Sequence, residues 1–315
     1  MTMHSTNLRA QANYHVPVLL SPTLDLLITD PNGLYIDGTL GGGGHTRAIL
    51  ERLGPQGRLY GIDQDEDALA QVQDLNDPRF TPIRGNFGYM DVLMPADARG
   101  KVSGILLDLG VSSHQIDQGA RGFSFQSDGP LDMRMGKSLI TTAADILNTY
   151  SPEALASVFY RYGEERHSRS IARAVENARP LKTTNDLKKA VESVIKGPQT
   201  VKSLARIFQA VRIEVNHELD MLILALKATL DLLRVGGRVV VIAYHSLEDR
   251  LVKHFMRSGN VEDQLEKDFY GNPICPFRSI TRNALVADAA EIQQNPRARS
   301  ARLRAAERLA MEVVV

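Results

Sequence analysis

Short apolar runs and helical stretches alternate along the first third of the chain. Leu34–Asp37, Arg58–Asp63, Phe80–Arg84 and Val102–Asp108 read as strands, with helices over His45–Leu53 and Asp65–Leu75 between them. This β-α-β-α rhythm demands a parallel sheet covered on both faces, because parallel neighbours need long crossovers. After Asp108 the rhythm stops. Gly110–Gly136 is rich in Gly, Ser, Asp and Gln and too long for a passive connection, which marks it as a functional loop. Thr141–Asn216 is then helical throughout, with Ser151 capping a helix whose first residue is Pro152. Leu219, Leu222, Ile223, Leu226, Leu230 and Leu233 draw one apolar stripe on a further helix, which Gly236 and Gly237 are expected to end. Arg238–Tyr244 reads as a buried strand, and Ser246 caps a helix through Met256, with Glu248 and Asp249 in its first turn. Residues 258–296 predict no element. The expected fold is α/β and Rossmann-like with an inserted all-helical domain: residues 15–136 and 217–315 form the sheet domain, the latter with a basic C-terminal segment, and 137–216 form the insert.

Composition narrows the classes. With 43% apolar and 23% charged residues, 315 residues can bury a large core. Apolar runs such as Val239–Tyr244 fall far short of the roughly 18 residues a membrane span needs, and Met1–Tyr14 has no apolar segment for a signal peptidase. The one cysteine, Cys275, cannot form an internal disulfide, so a reducing compartment, the cytoplasm, is expected. The histidines, His4 and His15 among them, show no paired ligand spacing, and no metal is expected. Formal charge is zero overall, with 37 basic and 37 acidic residues, but it is unevenly spread. Asp25–Gly110 holds 13 acidic and 7 basic residues, whereas Ser151–Asn216 holds 12 basic and 7 acidic. Arg297, Arg299, Arg302, Arg304 and Arg308 add a basic run near the C-terminus. Such tracts matter if an active site lies beside them, since they then attract a polyanion; otherwise they are solvated faces.

Chemistry concentrates at Ile36-Asp37-Gly38-Thr39-Leu40-Gly41-Gly42-Gly43-Gly44-His45, where a strand passes through four successive glycines into a helix. Without Cβ atoms the main chain can touch a ligand, and the helix start offers free N–H donors. A dinucleotide site would want a third small residue where Thr46 stands. Asp37 ahead of the loop is awkward beside a pyrophosphate and better suited to a cationic ammonium. Asp63 ends the second strand, where a carboxylate can accept both ribose hydroxyls. Asn86-Phe87 offers an amide and a flat ring for an adenine, and Asp108 ends the fourth strand. These strand ends together describe a site for S-adenosyl-L-methionine. Each residue also has an ordinary structural use, as turn, cap or core.

The sequence further resembles the ribosomal RNA small-subunit methyltransferase H family from about His15 to Arg308. The resemblance rests on Tyr35-Ile36-Asp37-Gly38-Thr39 with Gly43-Gly44-His45, on Leu106–Ser113, on Arg121-Gly122-Phe123-Ser124-Phe125 with Asp128–Arg134, and on Tyr162–Arg166. Phe208–Ile213, His245–Arg250 and Asn295–Ser300 extend it. It departs at Lys202–Arg206, where the family usually has His-Pro-Ala, and at Asn283-Ala284, where Lys-Pro is common. The resemblance implies a class I methyltransferase sheet and methylation of the exocyclic N4 of a cytidine in the decoding region of bacterial 16S rRNA. It implies Gly43, Gly44, His45, Asp63, Phe87, Asp108 and Gln115 as cofactor contacts, to which the residue reading adds Asp37 and Gly41. The substrate is expected within the small ribosomal subunit, with the insert recognising RNA and the oligomeric state left open.

For methyl transfer, Asp108, Ser112 and Ser113 are candidates to accept the amine's protons, although Asp108 can equally serve only the cofactor. Phe123 and Phe125 are candidates to stack on an extruded base or to anchor their loop. Arg212 and Asn216 share a helix face that fits RNA contact or a polar seam, and His245 fits target contact or local helix capping. Two competing readings remain: methylation at cytosine C5, which needs a thiolate that only Cys275 could supply, and a non-catalytic rRNA-binding assembly factor that keeps the cofactor fold.

Overall fold

The computed structural model describes residues 17–271 and 273–310, with the side chains of 113, 114 and 273 outside that description. The expectations for Met1–Tyr14, His4 and His15 lie outside the described residues. The chain builds strands β1 (Leu34–Asp37), β2 (Arg58–Asp63), β3 (Phe80–Arg84), β4 (Val102–Asp108), β5 (Leu233–Ala243), β6 (Glu266–Lys267), β7 (Pro273–Ile274), β8 (Phe277–Ser279) and β9 (Arg302–Arg308). Seven of them form one sheet in the order β3-β2-β1-β4-β5-β9-β8; β6 and β7 make a separate two-stranded ribbon. β1 to β5 run parallel, and β9 is antiparallel to both β5 and β8. The strand order reverses between β1 and β4, which opens a crevice at their carboxyl ends where open α/β sheets bind ligands.

The central strands are apolar on both faces because both are covered. Ile105 and Leu107 of β4, with Val239 and Val241 of β5, enter the core beneath the helix Glu218–Leu232. Leu106, Val240 and Ile242 enter the core on the other face. The first four strands have the bounds read from the sequence. The second crossover helix is shorter than expected, Glu66–Ala70. Arg47 donates to the carbonyl of Gln71 at 3.1 Å and to Asp74 at 2.8 Å, so the chain beyond Ala70 is held in turns.

The C-terminal half departs further. Gly236 and Gly237 do not end a helix: the helix stops at Leu232 and both glycines lie inside β5, where its register against β4 shifts. Gly236 has φ +78°, which bends the strand at that shift. The C-terminal arginine run is mostly the strand β9, whose Leu303, Ala305 and Ala306 are fully buried. Arg304 forks onto Asp249 at 2.7 Å and Arg297 pairs with Asp117 at 2.7 Å, so part of this basic run is neutralised.

The insert comprises the helices Ala143–Thr149, Pro152–Gly163, Ser168–Asn177, Thr184–Val194 and Thr200–Asn216. It has its own core around Phe159, Ile171, Leu187, Ile207 and Val211, to which Leu131 and Met133 of the preceding loop also belong. Ser151 caps Pro152–Gly163 as expected, and Thr142 and Thr183 form capping boxes with Asp145 and Asp186. No helix among the described residues is long and apolar enough to cross a membrane.

Candidate active site

The glycine loop is stitched to both strands that flank the reversal. Asp37 is 0% exposed; its carboxylate accepts the Thr39 N–H at 3.2 Å and the Thr46 hydroxyl at 2.7 Å. The Thr39 hydroxyl in turn accepts the Asp108 N–H at 2.6 Å, and Gly38 donates to the Leu106 carbonyl at 2.9 Å. Gly41 and Gly43 have φ +51° and +75°, a conformation side chains disfavour. A Cβ on Gly43 would lie 2.6 Å from Val72, and one on Gly44 would lie 2.5 Å from Pro17, so these positions are closed by packing. A Cβ on Gly41 would meet nothing nearer than the Thr39 carbonyl at 3.8 Å. Gly41 therefore presents bare main chain to open space.

Three carboxylates share this edge, and burial raises the pKa of each. Asp63 accepts the N–H of Gly41 at 2.8 Å and that of Asp65 at 2.8 Å, which leaves lone pairs on both oxygens. Asp37 is raised mainly by its complete burial, opposed by the nearby His45. Asp108 is pushed up to about 7 by burial, against the lowering effect of the Tyr244 hydroxyl, which donates to it at 2.9 Å. His45 Nδ1 lies 3.5 Å from the other Asp108 oxygen; burial lowers the His45 pKa and keeps the ring neutral. Burial and Asp108 together hold Tyr244 protonated, so it stays a donor.

Across the crevice, Gln115 is buried, accepts the Ser112 N–H at 3.0 Å and donates to Asp65 at 2.8 Å, while its own N–H reaches the Ser112 hydroxyl at 3.2 Å. Arg121 closes the same network on Asp65 at 3.0 Å. Burial alone would raise Asp65, but hydrogen bonds from Gln115 and Arg121 outweigh it and hold this carboxylate below its ordinary range. Ser112 is thus committed to its turn; the side chain of Ser113 lies outside the described residues. Asn86 accepts the Gly88 N–H at 2.9 Å and donates to Gln64 at 3.1 Å, which fixes half-buried Phe87 beside Gly38. The structure thus joins Gly41 to Asp63, His45 to Asp108 and Phe87 to Gly38 at one sheet edge, with Gln115 linked to it through Asp65. Asp37 is buried behind the loop and Gly43 and Gly44 are closed by packing, so the ligand contact expected of Asp37 is not open to it.

The residues expected to meet RNA are arranged differently. Asn216 is 3% exposed and donates to the Met133 carbonyl at 2.8 Å while accepting the Met135 N–H at 2.7 Å, so it pins a loop and has no surface for RNA. The Arg212 guanidinium forks onto Glu218 at 2.7 and 2.8 Å, which makes the polar seam the correct alternative for this face. Phe125 packs edge-on against Phe208 with centroids 5.5 Å apart, and Phe123 lies 5.9 Å from the Arg121 guanidinium; both are anchors of their loop on the insert core. His245, not Ser246, caps the helix Ser246–Ser258, accepting the Glu248 N–H at 3.4 Å, with Nε2 3.2 Å from a Glu248 oxygen.

Sequence reading missed Tyr244 and Glu248. Tyr244 ends the strand read as Arg238–Tyr244; its place at a strand end was the available signal, and the pairing of β5 with β4 that sets it beside Asp108 is seen only in the fold. Glu248 accepts the Tyr244 N–H at 2.8 Å and so orients it toward Asp108. Glu218, His245 and Glu248 also bring ligand-type atoms within 4.8 Å of one another, a grouping that linear histidine spacing could not reveal. A cation already sits in that group, the guanidinium of Arg212.

The donor set suits a ligand with an ammonium-bearing chain, a ribose and a purine: open main chain at Gly41, free lone pairs on Asp63, and an amide and a ring at Asn86-Phe87. Comparison with known proteins agrees. The family model described as the MraW methylase family matches residues 12–309. A protein of Bacteroides thetaiotaomicron called ribosomal RNA small subunit methyltransferase H is 49% identical over 301 residues, spanning 95% of this chain and 98% of its own. Proteins of the same name from Parabacteroides distasonis and Porphyromonas gingivalis are 50% and 48% identical, over 94% of this chain and 98% and 97% of theirs. By this match along nearly its whole length, the chain belongs to the MraW methylase family and is an S-adenosylmethionine-dependent methyltransferase.

Proposed function

We propose that this protein methylates the exocyclic N4 of a cytidine in the decoding region of 16S rRNA, within the small ribosomal subunit. The relatives' shared name supports small-subunit rRNA as the substrate, and the motif resemblance supports the atom. The observation that carries the chemistry is Asp108: a carboxylate at the reversal point, pushed up to about 7, hydrogen-bonded to Tyr244 and flanked by neutral His45. When bound, S-adenosylmethionine supplies a methyl group already activated by its sulfonium charge. The residues must then hold an amine in line with that methyl at roughly 3 to 3.5 Å. Asp63 would hold the ribose hydroxyls, Phe87 and Asn86 the adenine, and the open Gly41 main chain the methionine part. Asp37, buried and with both oxygens engaged by Thr39 and Thr46, would act through the loop it fixes. Gln115 would shape the crevice wall through Asp65.

Asp108 would accept an N–H of the target amine, which concentrates electron density on the nitrogen, and would take the proton as the N–C bond forms and the C–S bond breaks. A base with a pKa near 7 is suited to accept this proton at neutral pH. The C5 alternative is disfavoured because Cys275 follows the ribbon strand β7, with its thiol 3.1 Å from the Phe277 carbonyl and packed against the sheet core.

The test is to incubate small subunits that lack the modification with the protein and a methyl-labelled cofactor, then to identify the labelled nucleoside by mass spectrometry. N4-methylcytidine is expected. Label on C5 would overturn the assigned atom, and cofactor binding without any labelled rRNA would favour the assembly-factor reading.

A further inference from the structure

A cleft of about 540 Å³ opens beside Tyr244 and His245, between the helix Ser246–Ser258 and the segment 299–302 that leads into β9. Arg250, Lys253, Arg299 and Arg302 line it, together with His254 and Asp249. The acid is already answered: Arg304 donates to both Asp249 oxygens, at 2.7 and 3.2 Å. Arg250 reaches out of the cleft to Glu164 of the insert at 3.0 Å, an exposed pair worth little. Lys253, Arg299 and Arg302 are exposed and form no salt bridge among the described residues, although Lys253 is near enough to Asp263 to help lower that carboxyl. Arg250 and Lys253 are three positions apart on one helix face, so both point to the same side.

The wall that these cations share is Tyr244. Tyr244 lines the cleft, and its hydroxyl donates to Asp108 at 2.9 Å. The basic cleft therefore adjoins the acidic sheet edge through Tyr244, which belongs to both. A folded protein keeps several unpaired cations together at a cost in mutual repulsion, which a polyanion would relieve. A nucleic-acid backbone, with one charge per nucleotide, matches a row of separated cations better than a single small anion does.

We infer that this cleft seats the sugar–phosphate backbone of the single-stranded RNA segment adjoining the target nucleotide, with Lys253, Arg299 and Arg302 as its phosphate contacts. The inference rests on the rRNA-methylation reading above and adds the path by which the strand enters. A strand held here delivers the neighbouring base past Tyr244 to Asp108, whereas the basic face of the insert is left to grip more distant parts of the RNA.

The test uses the full-length protein carrying Lys253→Gln, Arg299→Gln and Arg302→Gln, and a single-stranded RNA oligonucleotide with the decoding-region sequence. Binding is measured from low to moderate salt, and cofactor affinity by calorimetry. Loss of three phosphate contacts should weaken low-salt binding by at least tenfold and flatten the slope of log Kd against log salt by about 2, at about 0.7 per contact. Cofactor affinity should be unchanged, and Lys253→Arg with Arg299→Lys and Arg302→Lys should keep the wild-type slope. If the triple variant does not fold, Arg299→Gln alone should lower the slope by about 0.7. A wild-type protein that binds this RNA with a salt slope identical to the variant's overturns the cleft assignment and leaves the rRNA reading intact. A wild-type protein that neither binds nor methylates rRNA overturns that reading as well.

Discussion

The carboxylates at the sheet edge and those of the insert and its adjoining loop face opposite ways. Asp37, Asp63 and Asp108 are raised above the ordinary range, each chiefly by burial. Asp128, Asp145 and Asp186 are lowered by the donors that surround them: Asp128 by Thr183, and Asp145 and Asp186 by the N–H groups they accept in turns and capping boxes. A carboxylate that serves folding is placed where its charge is stabilised. One that must take up a proton or a ligand's donors is left short of partners in a site with little solvent. The difference separates scaffold from site among residues that look alike in the sequence.

The largest test of that distinction is Asp108→Asn. Loss of a positioned base should lower kcat by about 10²- to 10⁴-fold with cofactor affinity little changed, measured by single-turnover transfer and calorimetry. The same change should act oppositely on stability. Between the unfolded carboxylate pKa of about 4 and the folded value near 7, the folded protein holds a proton that the unfolded chain has lost, so stability falls as pH rises through this window. Asp108→Asn should flatten that fall in thermal melts from pH 5 to 8. A variant that loses both activity and stability at pH 8 would place Asp108 with the scaffold.

Asp63→Ala comes next. Removing charged acceptors for ribose hydroxyls should weaken cofactor binding by roughly 10- to 100-fold, in line with about 1.5–3 kcal/mol for a hydrogen bond to a charged group. Part of that loss would come through Gly41, whose N–H the carboxylate also holds. Unchanged affinity by calorimetry would remove Asp63 from the cofactor site.

On the insert, Arg161, Arg166, Arg169 and Arg173 are exposed and belong to no ion pair among the described residues. Reversing several of these charges should weaken rRNA binding severalfold and flatten its salt dependence, with cofactor affinity nearly constant. An unaltered salt slope would return this face to ordinary solvated surface. The smallest effect is expected from Thr183→Ala, which breaks a capping box: a loss of about 1 kcal/mol in denaturant unfolding, with no change in cofactor affinity. Any sizeable loss of cofactor binding there would break the separation between insert and sheet edge.

Much of this was legible in the chain itself. β1 to β4 and the glycine loop follow from short apolar runs ended by polar residues, since both the sheet's burial and the loop's backbone demands are local. Asp37, Asp63 and Asp108 could be named because each ends a strand at the same edge. β9 was not legible, since Arg302, Arg304 and Arg308 alternate with Leu303, Ala305 and Ala306 and read as a charged run until their partners, such as Asp249, are placed. For Asn216 and Arg212 the choice between RNA contact and a polar seam stayed open for a related reason: helix spacing gives a shared face but not what covers it, and here Met133, Met135 and Glu218 cover it. Tyr244 needed tertiary knowledge, the pairing of β5 beside β4, to become visible as the partner of Asp108.

Asp108 as the group that receives the amine's proton is the central assignment, and the pH dependence of single-turnover methyl transfer tests it most directly. Because its folded pKa is raised, the accepting carboxylate disappears below neutrality; the wild-type rate should climb with pH, pass its midpoint near 7 and then level, while Asp108→Asn should show a low, flat profile. A wild-type rate that is constant from pH 5.5 to 8.5, or an Asp108→Asn profile that still rises through 7, would contradict the account.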